Sequence, residues 1–99
     1  MSLAEVTSTA KGMAVSGAIS FENVMCLRQQ GADLINAASH ASIPVDLSGI
    51  LSSDVSGLSL LVRWMHYAKS QGKALQFLKI PAMLVEIANI CHMNRILGL

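Results

Sequence analysis

The stretch that most restricts what this chain can fold into is Ile43-Pro44-Val45-Asp46-Leu47. It is a short apolar run with turn-forming residues on both sides, which suits a strand buried in the middle of a sheet. Pro44 belongs at its very start, where a missing N–H is tolerated. Helical periodicity lies on both sides of the run. Upstream, apolar residues recur at helical spacing from Phe21 to Ala38: Phe21, Val24 or Met25, Leu27 or Arg28, then Leu34, Ile35 and Ala38. Ser20 precedes them as an N-cap, with Asn23 three residues on as a partial capping signal. Ser39–Ser42 closes that helix. Downstream, Asp54-Val55-Ser56-Gly57 opens a second helix reaching about Gln71, with Lys69 in its last turn and Gly72 as the C′ glycine that stops it. A buried strand with a helix before and after it requires crossover connections, and hence a mostly parallel or mixed sheet.

The remaining segments complete that pattern. Ala4–Ser8 reads as an edge strand, Thr9-Ala10-Lys11-Gly12 as a turn and Met13–Gly17 as a second strand, together an antiparallel hairpin. Ser48–Ser53 reads as a six-residue polar loop. Lys73–Lys79 alternates polar and apolar side chains as a strand does. Pro81 suits the first turn of a third helix that runs to about Cys91, with Leu84, Ile87, Ala88 and Cys91 facing inward. Met93–Leu99 is a short tail whose Ile96 and Leu97 are expected to pack back on the core. The order is β-β-α-β-α-β-α: an α/β fold of about four strands and three main helices, one domain over residues 1–99.

Charge is scarce. Apolar residues make up 53% and charged residues 13%, against about 45–50% and about 25% in an ordinary domain. Few charges remain to cover the outside, and an apolar patch on a small domain marks a partner site. The net charge is +1, the basic residues are scattered, and two Phe, one Trp and one Tyr are the whole aromatic complement, which argues against nucleic acid. Five of the seven basic residues follow Asp54, so the second half is mildly basic, compatible with an acidic partner or an anionic membrane. No run approaches the ~20 apolar residues of a membrane span, and the N-terminus lacks the pattern of a signal peptide, so a cytoplasmic protein is expected. Cys26 and Cys91 are expected as reduced, buried thiols. His40, His66 and His92 do not combine with them at zinc-ligand spacing. No Gly-x-Ser-x-Gly elbow and no phosphate-binding Gly-x-x-x-x-Gly-Lys loop is present. No metal, cofactor or catalytic residue is expected.

The informative junction is Val45-Asp46-Leu47-Ser48, then Asp54-Val55-Ser56-Gly57-Leu58. A helix start presents unpaired N–H groups and a partial positive charge, and the small Ser56 and Gly57 let another surface or a phosphate come close. Asp54 either caps the helix or presents an acceptor outward. The helix that follows is apolar on more than one side. Leu58, Leu61, Val62, Met65 and Ala68 form an inward stripe, with Leu60, Trp64 and Tyr67 on an adjacent face. Such a helix is either deeply buried or bound to a partner. Trp64 is thus either an exposed anchor or part of the core, and Met25 and Arg28 are placed to border the same surface.

The strand ending near Asp46, the loop, and the Asp54-x-Ser56-Gly57-Leu58 helix start resemble the STAS family, which includes the bacterial anti-sigma factor antagonists. The resemblance runs from Met13 to Leu97 and is greatest to the MlaB-like branch, with Leu75-x-Phe77, Pro81-x-x-Leu84 and Ile87-Ala88 also fitting. It implies a STAS-like mixed sheet and a non-enzymatic cytoplasmic subunit. By that resemblance the partner would be an MlaF-like nucleotide-binding subunit, assembled with a permease in a phospholipid ABC transporter that maintains outer-membrane lipid asymmetry. The contact residues it implies are Asp54, Val55, Ser56 and Gly57, with Trp64 as a neighbouring anchor. The alternative it implies is an anti-sigma factor antagonist that binds an anti-sigma kinase. In kinase-regulated members a phosphorylated Ser directly follows the Asp. Here that position is Val55, which has no oxygen to accept a phosphoryl group, so no phosphorylation is expected there; Ser56 carries a hydroxyl that could in principle substitute, but it occupies the place of the non-acceptor residue.

Overall fold

In the computed structural model, which describes residues 4–97, with side chains described through Arg95, the elements follow in the expected order. β1 (Ala4–Ser8) and β2 (Met13–Ile19) form an antiparallel hairpin. Its turn is tied by Thr9 N–H to the Gly12 carbonyl (2.9 Å) and by Gly12 N–H to the Thr9 hydroxyl (3.1 Å). Then come α1 (Val24–Ala37), β3 (Ser42–Ser53), α2 (Val55–Ser70), β4 (Ala74–Leu78), α3 (Ala82–Ile90) and a short α4 (Asn94–Leu97). The sheet order is β1-β2-β3-β4, with β3 parallel to both of its neighbours. The expected packing of Ile96 and Leu97 lies outside the described side chains.

Burial alternates along the sheet. Met13, Val15 and Ile19 of β2 and Ile43, Val45 and Leu47 of β3 are buried, while Ala14, Ser16, Pro44 and Asp46 between them are partly open. A period of two means that one sheet face is covered and the other is not. α1 packs on the hairpin, α2 on β4 and α3 on β3.

One expected loop is strand. Ser48–Ser53 continues β3 and pairs with β2 as far as Ile19↔Ser53. β3 fits an extra residue twice, opposite Ala14–Ser16 and opposite Gly17–Ala18. These bulges break the period of two, so Leu47 and Ile50 are both buried although they are three residues apart. The broken alternation is what made this polar stretch read as a loop. Gly49 is needed at the first bulge, because a Cβ there would lie 2.9 Å from Cβ of Ser16.

Helix ends follow local chemistry. Gly72 has φ +72° and closes α2 in a Schellman motif: its N–H reaches the Lys69 carbonyl (3.0 Å) and the N–H of Lys73 reaches that of Ala68 (2.8 Å). α1 has no basic residue in its own last turn. Lys73 supplies the cation from across the fold, its Nζ donating to the carbonyls of Ile35 (2.7 Å) and Asn36 (3.2 Å).

Candidate docking site at the start of the second helix

Asp54 is the N-cap of α2, with extended backbone (φ −102°, ψ −165°). Its Oδ1 accepts the N–H of Ser56 at 2.8 Å and also the Ser56 hydroxyl. Its backbone carbonyl accepts the N–H of Gly57 (3.1 Å) and the hydroxyl of Ser53 (2.9 Å). Of the two roles open to it from sequence, Asp54 takes that of cap. Ser56 is drawn inward by these bonds and is only 4% exposed. Gly57 lies against Ser53, where a Cβ would sit 1.9 Å from the Ser53 hydroxyl oxygen. Asp54, Ser56 and Gly57 therefore build the corner, and Val55 between them is turned out, 53% exposed.

Trp64, the expected neighbouring anchor, is a core residue. It is 1% exposed, and its indole N–H donates to the Arg28 carbonyl at 3.2 Å. Gly31 of α1 makes this possible, since a Cβ there would lie 2.2 Å from the indole ring. The alternation of small and large residues across the two helices lets them close on each other. Leu58, Leu60, Leu61 and Ala68 are buried as well. The apolar circumference of α2 is thus explained by its place between α1 and α3 and over β4.

The open large apolar side chains lie elsewhere: Leu51, Leu78 and Ile90 stand singly, and Phe21, Met25 and Val55 line one groove. Phe21 is 77% and Met25 65% exposed, and with Val24, Val55 and Leu60 they line a groove of about 350 Å³ between the first turns of α1 and α2. Arg28 and Arg63 stand at its edge. Full burial of one such apolar side chain is worth about 1.5–3 kcal/mol, whereas an exposed ion pair contributes about 0–1 kcal/mol. Affinity at this place would come from the apolar side chains and orientation from the arginines.

The spacing makes Phe21 the first apolar residue of the first helix, with Ser20 as its cap. The helix instead starts at Val24 with Asn23 as N-cap. The Asn23 side chain accepts the N–H of Ser20 (3.0 Å) and donates to the Ala18 carbonyl (2.8 Å). That clasp fixes a turn before the helix and leaves Phe21 outside the inward stripe. The sequence signal was Asn23 itself, a residue that favours turns and caps.

Asp46 faces the open side of the sheet. Its carboxyl accepts the N–H of Ser48 at 2.9 Å. Hydrogen bonds from the backbone and side chain of Ser48, with a small contribution from Lys79, hold it below its ordinary pKa of 3.8. The cysteines depart from expectation. Both are free, but both are exposed, Cys26 on the outer side of α1 and Cys91 where the chain turns away after α3. The inward stripe of α3 therefore consists of buried Leu84 and Ala88 with half-buried Ile87, and ends before Cys91. Among the described residues no three His, Cys, Asp or Glu side chains gather in one place. No described helix is long and apolar enough to cross a membrane.

A family model described as "Mlab, STAS domain" matches residues 3–98. The chain belongs to the MlaB-type STAS family. It is similar to a chain of the Acinetobacter MlaFEDB complex in its ATP-bound Vtrans2 conformation, at 29% identity and a TM-score of 0.79, with 91% of this chain and 94% of that one covered. The anti-sigma factor antagonist SpoIIAA in its unphosphorylated form shares the fold, with a TM-score of 0.68 at 13% identity over 95% of this chain and 96% of that one. So does part of SLC26A9, with a TM-score of 0.73 at 13% identity over 88% of this chain and 16% of that one. No curated protein sequence matches significantly. The four-stranded mixed sheet with its helices is therefore that of a STAS domain, which is not known as an enzyme family.

Proposed function

We propose that this chain is a non-enzymatic, cytoplasmic subunit of an Mla-type phospholipid ABC transporter, and that it docks on the nucleotide-binding ATPase through the groove at the start of α2. The observation that carries the reading is the pairing of a rigid corner with an open apolar patch. Asp54, Ser56 and Gly57 fix the corner, and Val55, Phe21 and Met25 are left uncovered beside it. A small domain with so few charges leaves such a patch where a partner will cover it. The similarity to a chain of the MlaFEDB complex supports the choice of partner. In this reading Asp54, Ser56 and Gly57 act as the frame and Val55 as the contact, while Trp64 sets the spacing of the two helices.

Regulation by a kinase fits the corner poorly. Val55 occupies the exposed position and has no hydroxyl. Ser56 has one, but it is buried and already donates to the Asp54 carboxylate. The test is affinity purification of the tagged chain from detergent-solubilised membranes, with mass spectrometry of what accompanies it. The expected result is an ABC ATPase and its permease, recovered with the natural chain and lost with Val55→Arg. Recovery of a soluble kinase-like protein instead would replace this reading with that of an anti-sigma factor antagonist.

A further inference from the structure

The groove between α1 and α2 has a chemistry that says more about what covers it. Its apolar part ends at Arg28 and Arg63. The same two arginines open a second, polar cleft of about 460 Å³ further along the helix pair, where His66 joins them and Asp33 is the one carboxylate. Asp33 already accepts a hydrogen bond from the Gln29 side-chain amide at 2.9 Å. Among the described residues neither arginine has an ion-pair partner. The helix pair carrying them is fixed at Gly31 and Trp64, and the Arg28 carbonyl holds the indole N–H. Two guanidinium groups thus stand unneutralised at the margin of a preformed apolar groove.

We infer that the surface covering this groove is a protein face with an apolar side chain at its centre and carboxylates at the margin that meets Arg28 and Arg63. This rests on the docking reading above and specifies the partner's side of it. Guanidinium groups hold carboxylates in bidentate geometry, and charges at the margin of an interface set the association rate and the register more than the affinity. A lipid surface is the weaker match, because adsorption to anionic membranes draws on clusters of about four to eight basic residues. Here two arginines flank a concave groove in a chain of net charge +1.

The experiment measures association of the chain with the purified nucleotide-binding subunit of the Mla-type transporter from the same organism, by surface plasmon resonance at low and at high salt. Val55→Arg, the double variant Arg28→Glu/Arg63→Glu and its control Arg28→Lys/Arg63→Lys are compared, each checked for folding by circular dichroism. The charge reversal is expected to slow association at low salt by roughly tenfold or more and to remove most of its salt dependence. The lysine control should retain most of the rate, and Val55→Arg should weaken binding at both salts. If the reversal leaves rate and salt dependence unchanged while Val55→Arg abolishes binding, docking stands and the acidic margin is refuted. If the reversal instead abolishes retention on phosphatidylglycerol vesicles and leaves the rate unchanged, the arginines serve lipid and the inference falls. If the natural chain does not bind the subunit at all, the docking reading falls and takes the inference with it.

Discussion

The α1–α2 pair is closed at its middle and open at its start. At the middle, Trp64 fills the space that Gly31 leaves and gives its N–H to the Arg28 carbonyl. At the start, Val55, Met25 and Phe21 hold apolar surface in solvent on a frame made by Asp54, Ser56 and Gly57. A tryptophan on an amphipathic helix is the residue type that most invites assignment to an interface. Here it is sealed, and the open apolar surface at the start of the helix pair consists of Phe, Met and Val. Side-chain identity gives a weaker guide than what the facing helix can accommodate. A glycine opposite takes in the large ring, while a turn upstream of α1 leaves Phe21 with nothing to pack against.

The comparison can be broken from the closed side first. Trp64→Ala is expected to cost about 3–5 kcal/mol in urea unfolding, since it empties a fully buried aromatic site. Gly31→Ala pushes a methyl group into the indole and should cost about 1–3 kcal/mol. A cost of less than ~0.5 kcal/mol for both would mean that the two helices are not locked where the indole lies. Asp54→Ala removes the cap and should lower stability by about 1 kcal/mol. It should also weaken docking, because the corner that turns Val55 outward loses its tie to Ser56. Docking affinity that does not change in this variant would separate the frame from the contact.

The smallest expected effect is in the acid limb of stability. Asp46 is held below its ordinary pKa of 3.8 by hydrogen bonds from Ser48. A carboxyl with a depressed folded-state pKa adds stability that is fully present above its unfolded value. That stability is lost as pH falls from about 3.8 through the lower folded value. Asp46→Asn should therefore flatten the stability profile below about pH 4 and leave docking at neutral pH unaltered, because Asp46 lies away from the groove. Equal acid limbs in both proteins would remove this contribution.

Much of the fold was legible in the sequence because its elements are locally marked. The central apolar run, the C′ glycine at Gly72 and the Asp54 cap each carry their own signal, and so did the hairpin. The extension of β3 was not legible, because its two bulges break the alternation by which a strand is read. The start of α1 was misread by three residues because the side chain of Asn23 binds back to Ser20 and Ala18 rather than extending the helix. At the candidate site, the motif located the helix start at Asp54 through Gly57, where the structure has it. Which of these four faces outward depended on hydrogen bonds that spacing does not reveal. Phe21 was hidden by the same misreading that moved the helix start, and Arg63 by lying among scattered charges. The partnership of Trp64 with Gly31 is a contact between helices far apart in sequence, beyond the reach of periodicity.

The central claim is that the open end of the helix pair binds and the closed end only supports it. The most direct test is the double variant Met25→Ala/Val55→Ala, with melting temperature and affinity for the transporter ATPase measured on the same samples. The account predicts a stability change within about 0.5 kcal/mol and an affinity loss of at least about thirtyfold, the scale of hot-spot truncation. An affinity equal to that of the natural chain, with the fold intact, would contradict it.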